Sequence, residues 1–375
     1  MRKILFASLM TVAISALMGC KEKTREVPAI PLEIKDDKVY LEDVSDSTHF
    51  VLLEETSVES LAGSIFSAQI DDDKLFIAHN PGGGREGDQI ISVYDLDGHF
   101  LNRIGRKGRS RNEFIIVQSW CLDIDRKEVL IFDGYSHAIK RYDYDGKYIS
   151  QISMPDLMNL NDIIMADGNI YGLTLLPHDV ADDLLIINND GTFNALLDKR
   201  EMHSQDNLMY APLSKKHSSD MTSLYHMRTF DNILYKVTGT TVEKCGYFDF
   251  LNPPSASRLL NLSTYDMDLL MINPSLGPQT SDYLFLSAWV DKQFTQFIYN
   301  KNTGICTRYD SHGTGWGYTP IPIGASGNIL ITKITPSEAQ FALERGVSES
   351  DKPMIQAIAS QENDALLLYY LKDTD

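Results

Sequence analysis

"VYDLDGHFLNRI" at 93–104 and "RYDYDGKYISQI" at 141–152 are two spellings of one unit, 48 positions apart. Tyr94 aligns with Tyr142, Asp97 with Asp145, Gly98 with Gly146 and Phe100 with Tyr148. A third copy, "IINNDGTFNALL" at 186–197, keeps Asp190, Gly191 and Phe193. A fourth, "FIYNKNTGICTRY" at 297–309, keeps Tyr299 and Gly304 around a turn longer by one residue. In each copy aromatic or alternating residues flank Asp-Gly or Thr-Gly, and glycine reaches the positive φ that a tight hairpin needs. The repeated unit is therefore a β-hairpin, and repetition at this spacing decides the architecture.

Shorter apolar segments stand upstream of these turns: "KLFIA" (74–78), "EVLIFD" (128–133), "NIYGLT" (169–174), "NILYKV" (232–237), "YLFLSAW" (283–289) and "NILITKI" (328–334). They mark six units of about fifty residues between Leu61 and Leu371. The first three hold no long helical pattern, which argues against βαβ units. Small antiparallel sheets at this period predict an all-β fold, a six-bladed β-propeller with a few rim helices. Ring closure calls for one blade shared by both chain ends, and "THFVLLEE" (48–55) and "ALLLYYLK" (365–372) are the expected partners. "TPSEAQFALERG" (335–346) predicts a helix with a Thr335 or Ser337 cap, Pro336 in its first turn and a Gly346 stop. "ASRLLNLSTYDMDLLMI" (256–272) reads as a helix or two on the rim, with a strand left open for its second half.

Composition bounds the rest. Of 375 residues 43% are hydrophobic, enough for a large core, and the formal charge is −18. So acidic a balance argues against general affinity for nucleic acid or an anionic membrane surface. Arg2 and Lys3 precede a short apolar run, Ile4 to Ala16, which is too short for a comfortable membrane span. "LMGC" ends at Cys20 and resembles a bacterial lipobox, which implies a signal peptide over 1–19, cleavage before Cys20 and lipid on its thiol. An ordinary secretory signal beside an incidental cysteine is the other reading. Cleavage would remove two cations and take the charge from −18 to −20. Polar residues with Pro28 and Pro31 make 20–36 an expected tether, leaving 37–375 as the propeller domain. Cys121, Cys245 and Cys306 are widely spaced among apolar neighbours and read as small core residues.

Four pieces together resemble the six-bladed β-propeller lipoproteins of Bacteroidetes, relatives in pattern of NHL-repeat proteins. They are "LEDVSDSTHFVLLEETSVESLAGSI", "YDLDGHFLNRIG" followed by "GRKGRSRNEF", "DNILYKVTG", and the tail "SQENDALLLYYLK". That family's loop after the first hairpin runs Gly-x-x-Gly-x-Gly-Pro-Gly-Glu-Phe. Gly105, Gly108, Glu113 and Phe114 fit it, whereas Ser110, Arg111 and Asn112 replace Gly-Pro-Gly. The resemblance implies an exported propeller, lipid-anchored to the outer membrane on its surface or periplasmic side. It brings no shared catalytic set to carry over.

Two stretches are candidate ligand contacts. In "RIGRKGRSRNEF" (103–114), Arg106, Lys107, Arg109 and Arg111 crowd a loop of an acidic protein. They are either solvated loop charges or a contact for a carboxylate, sulfate or phosphate, which a guanidinium fork suits. In "RYDSHGTGWGYTP" (308–320), His312, Trp316 and Tyr318 stand among glycines, either stacking on sugar rings or wedged between blades. The glycines of "PGGGREGD" (81–88) lack the strand–helix setting of dinucleotide binding and read as a connector. "DLDG" and "DYDG" lack the twelve-residue calcium loop, so Asp97 and Asp145 are expected to stabilise their own turns. His178, Asp179, Asp182 and Asp183 share a polar loop without zinc-site spacing. No metal, cofactor or catalytic residue is assigned, as no nucleophile elbow, H-E-x-x-H or C-x-x-C motif occurs. The leading expectation is a non-enzymatic binding or scaffolding propeller for a glycan or peptide. The alternatives are a hydrolase or lyase acting on polysaccharide in the central funnel, and a structural subunit of an outer-membrane complex.

Overall fold

The computed structural model describes residues 27–33, 39–81, 89–155, 160–174, 184–197, 218–219, 221–228, 231–251, 275–290, 293–310 and 322–373. Six sheets, antiparallel except for short strands added in parallel, form a six-bladed β-propeller. From the axis outward, blade one is Ser64–Asp71, Lys74–Asn80, Ile90–Asp95 and Phe100–Ile104. Blade two is Ser119–Asp123, Glu128–Asp133, Ala138–Asp143 and Tyr148–Ser153. Blade three is Leu160–Ala166, Asn169–Thr174, Leu184–Ile187 and Phe193–Ala195.

The repeat read from the sequence is a repeat in space. Tyr94 and Tyr142 lie at matching places in their third strands, each fully buried and each just after a register shift. Tyr94 faces Phe100 edge-on at 5.6 Å, and Tyr142 faces Tyr148 at 5.8 Å. Each hydroxyl donates to a carbonyl of the segment that leads into its own blade, Tyr94 to Ser60 at 2.9 Å and Tyr142 to Asn112 at 3.2 Å. Gly98, Gly146 and Gly191 have φ of 90°, 84° and 83°. A Cβ at these glycines would lie 2.0, 2.2 and 2.0 Å from the carbonyl oxygens of Leu52, Arg103 and Ser153. The turn glycine is thus also the joint at which a blade meets the outer strand of the one before it.

Blade five is Ser275–Gln279, Tyr283–Val290, Gln293–Asn300 and Cys306–Asp310. Blade six is Pro322–Ser326, Ile329–Ile334, Ala365–Leu371 and, from the other end of the chain, Ser45–Val51. Ser45–Val51 pairs antiparallel with Ala365–Leu371, so the closure forms as expected, with the amino-terminal strand starting three residues before the expected 48–55 and ending at Val51. Helix α1, Pro336–Arg345, and helix α2, Lys352–Ala359, are inserted between two strands of this blade. Thr335 and Glu338 cap α1 reciprocally, and Gly346 ends it at φ 95°. The short α2, with its proline in the first turn, is an addition to the sequence reading.

The amino-terminal segment does more than close one blade. Ala29–Ile30 adds a parallel strand to the outer edge of blade four, and Leu32–Glu33 and Val39–Tyr40 do the same for blade five. Strand pairing therefore begins at Ala29, inside the stretch expected to be a tether over 20–36. The cause is apolar: Ile30 is buried against Phe248, and Leu32 packs on the same cluster. Gly246 makes the socket, since a Cβ there would stand 2.6 Å from the Ile30 side chain.

Blade four departs from the pattern. Its own strands are Leu224–Met227, Ile233–Thr238 and Thr241–Phe248. "NILYKV" leads straight into the turn at Gly239, so it is a hairpin arm rather than an upstream partner. Tyr171 Oη donates to Gly239 O at 3.1 Å, placing that turn beside Asp167, where the first strand of blade three ends. Leu224 pairs with Val237 near the same end, so Leu224–Met227 starts where the first strand of blade three stops. It runs in the sense of a second strand. Among the described residues no strand fills the first position of blade four, and Ser218–Ser219 runs parallel to Pro322–Ser326 of blade six. This dipeptide also touches the innermost strands of blades one, two and three, and so occupies the axis. Gln279 N donates to Ser218 Oγ at 2.8 Å, and Ser219 Oγ donates to Ile70 O at 3.0 Å.

Candidate functional site

The basic loop leaves the outer strand of blade one and enters the inner strand of blade two. Its shape comes from Glu113, a largely buried carboxylate. Arg106 Nε donates to Glu113 Oε1 at 2.7 Å, and Ser110 N donates to Oε2 at 3.0 Å. The Ser110 amide foremost, then Arg106, holds the Glu113 carboxyl below its ordinary range. Gly108 N donates to Phe114 O at 2.9 Å and Phe114 N to Arg106 O at 3.2 Å, closing the loop on itself. A Cβ on Gly108 would sit 2.0 Å from Glu113 Oε2, so a larger residue there would push the Glu113 carboxylate aside.

The loop's return is bolted to blade two. Asp133, wholly buried, accepts from Ile115 N at 3.0 Å and Ser136 Oγ at 2.8 Å. Buried Lys140 donates to Arg111 O at 3.3 Å and to Glu113 O, with Asp133 Oδ2 at 3.9 Å. Burial pulls the Lys140 ammonium below its ordinary range, and the Asp133 charge opposes that pull. Phe114 fills the base of the loop edge-on against Tyr142. Four candidates therefore sit on one loop in different roles. Arg106 serves the loop through Glu113, and Lys107 bridges to Phe114 through its backbone. Arg109 and Arg111 project from the fixed backbone as exposed side chains. Lys140 and Asp133, which set this arrangement, carry no motif, and nothing in the strand's alternation separates Lys140 from a surface lysine.

Opposite features gather at the hairpin turns. Asp95, rather than the expected Asp97, caps the first: its Oδ1 accepts from Asp97 N at 3.0 Å and His99 N at 2.8 Å. Asp143, rather than Asp145, accepts from Lys147 N at 2.7 Å in the second. The carboxylate before the turn reaches the amides that open toward it, whereas a carboxylate inside the turn points outward. In the third copy the turn's own Asp190 does cap, accepting from Thr192 N at 2.9 Å. Asp95, Asp97 and His99 place potential ligand atoms within 4.8 Å of one another, but Asp95 Oδ2 and His99 Nδ1 are already paired at 2.9 Å.

A cavity of about 270 Å³ opens at the turns between the first two strands of blades two and three, lined by Asp123, Asp125, Asp167, Met165 and Met221 among others. Two of its carboxylates are engaged. Asp123 Oδ2 accepts from Arg126 at 2.8 Å and Arg141 at 3.4 Å, and Asp167 Oδ1 accepts from Tyr171 Oη at 2.8 Å. The cavity meets a smaller one of about 130 Å³ lined by Arg126, Arg141, Asn169 and Asn189. Cys121 and Cys306 are buried and Cys245 is half-buried, and all three are free thiols. Cys20, His178, Asp179, Asp182, Asp183, His312, Trp316 and Tyr318 lie outside the described residues, as do 82–88 and 256–272.

Known proteins agree on the fold. A protein of Bacteroides fragilis NCTC 9343 described as exported is similar at 16% identity and a TM-score of 0.68, with 91% of this chain and 99% of that one covered. A member of the duf4221 family from Bacteroides vulgatus ATCC 8482 is similar at 12% identity and a TM-score of 0.51, covering 88% and 98%. No curated protein matches this chain. The signature of one family runs over residues 27–369, nearly the whole described molecule, and includes both the amino-terminal strands and the closing blade. The chain belongs to the family described as Domain of unknown function (DUF4934).

Proposed function

We propose that this protein is an exported, non-enzymatic binding propeller, held to the outer membrane by lipid on Cys20, that captures an acidic glycan or peptide with Arg109 and Arg111. One observation carries the reading. The basic loop is fixed by Glu113, Lys140 and Asp133, so its two exposed guanidiniums are displayed on a backbone that need not be ordered when a ligand arrives. Guanidinium forks suit carboxylates and sulfates, and a local positive loop on an otherwise acidic body selects for charge placement rather than for polyanions at large. Arg106, engaged with Glu113, supports the display.

The test uses polygalacturonate and chondroitin sulfate as probes on the wild-type protein and the Arg109→Ala/Arg111→Ala variant. Binding to at least one probe is expected to weaken tenfold or more, on the order of 1.4 kcal/mol, with an unchanged melting temperature. Equal binding by both proteins, or none by the wild type, overturns the reading. Accumulation of shortened probe would replace it with the hydrolase or lyase alternative.

A further inference from the structure

We infer that the anchored protein stands on the rim of blades four and five, with the basic loop at the pole turned away from the membrane. The inference rests on the lipid-anchor reading above and adds a direction to it. Its first support is arithmetic. Chain docking begins at Pro28, whose carbonyl accepts from Tyr247 N at 3.0 Å, and Ile30 is sunk beside Phe248 and Gly246. Only seven residues, 21–27, separate Cys20 from Pro28. Even fully extended, eight steps reach about 29 Å, and a relaxed chain of that length spans far less. A lipid on Cys20 therefore keeps the outer edge of blade four beside the bilayer.

Ring geometry is the second support. In a circle of six, blades one and two stand across the axis from blades four and five. The loop bearing Arg109 and Arg111 joins blades one and two. Strands spaced about 4.8 Å apart on both sides of the axis put these two poles roughly 40 Å apart. The amino-terminal strands continue along blade five and into blade six, so the segment that follows the tether is fixed to the propeller along an arc. Both propeller faces then look sideways along the membrane, and the guanidiniums look outward.

The full chain, purified with its lipid and placed in nanodiscs carrying a nitroxide quencher at the headgroups, gives the test. In a Cys245→Ser background, where Cys121 and Cys306 are buried, bimane is attached at Lys244→Cys on blade four or at Ser110→Cys on the loop. Mass spectrometry first reports the lipid on Cys20. Quenching at 244 is expected to exceed that at 110 at least fivefold, and insertion of twenty Gly/Ser residues after Lys21 is expected to erase the difference. Absence of the lipid mass overturns the anchor reading and the orientation with it. With lipid present, equal quenching, or stronger quenching at 110, overturns the orientation alone.

Discussion

The same hairpin turn behaves in two ways within this molecule. In blades one to three its glycine is pressed against a carbonyl of the preceding blade, with no room for a Cβ. In blade five Gly304 has the same kind of backbone, φ 72°, yet among the described residues nothing lies within 4 Å of its would-be Cβ. The outer edge of blade four is covered by Ala29–Ile30 instead. Blades one to three are joined to one another by their turns, whereas four to six are bound by a strap from the amino terminus. A repeat can thus keep its local shape and lose its role as a joint.

The sharpest way to break this contrast is to cut the strap. Deleting Ser45–Val51 strips blade six of its outer strand and removes buried Val51, so the melting temperature should fall by on the order of 10 °C or cooperative unfolding should vanish. Deleting 27–40 leaves that closure intact and should cost about half as much; equal losses would mean that strap and closure are one unit.

Next comes the glycine pair. Gly146→Ala adds a clash to left-handed strain and should destabilise by roughly 4 kcal/mol, while Gly304→Ala carries strain alone, about 1 kcal/mol. Urea unfolding of both variants decides it, and similar values would remove the distinction between joint and free turn.

A smaller effect should mark the regular half on acidification. His79 in blade one is buried, with Nε2 2.8 Å from Ser92 Oγ, and burial drives its imidazole from 6.5 to about 4. Between those values the unfolded chain binds the extra proton. The stabilisation is therefore complete above pH 6.5 and is lost as pH falls, by roughly 3 kcal/mol near pH 4. His79→Gln should flatten that part of the stability profile relative to wild type, and an unchanged slope would show that the imidazole is not the source.

The least effect belongs to Tyr142→Phe, which removes one hydrogen bond to Asn112 and should cost about 1 kcal/mol. A second cost should be looser binding of acidic probe, because Asn112 belongs to the basic loop. A stability loss with unaltered binding would confine that hydroxyl to packing.

Sequence period revealed what repeats and concealed what happens once. Tyr94, Gly98 and their counterparts were legible because identical local demands recur about every fifty residues, and the closing blade was legible because Ala365–Leu371 is long and apolar, although its partner Ser45–Val51 is mostly polar and exposed. Ala29–Ile30 is a two-residue parallel pairing with a partner more than two hundred positions away, so no alternation announces it. Ser218–Ser219 is two small polar residues, and no local pattern announces their place at the axis. At the basic loop the charges were plain, but their division of labour was not. Arg106 differs from Arg109 through Glu113, whose carboxylate occupies space that a side chain on Gly108 would crowd.

The serine pair on the axis has a consequence for traffic. Ser218 and Ser219 are hydrogen-bonded to Gln279 and Ile70 among the inner strands, and so narrow the centre of the ring at that level. Any passage between the two faces has to get past this short segment of the chain itself.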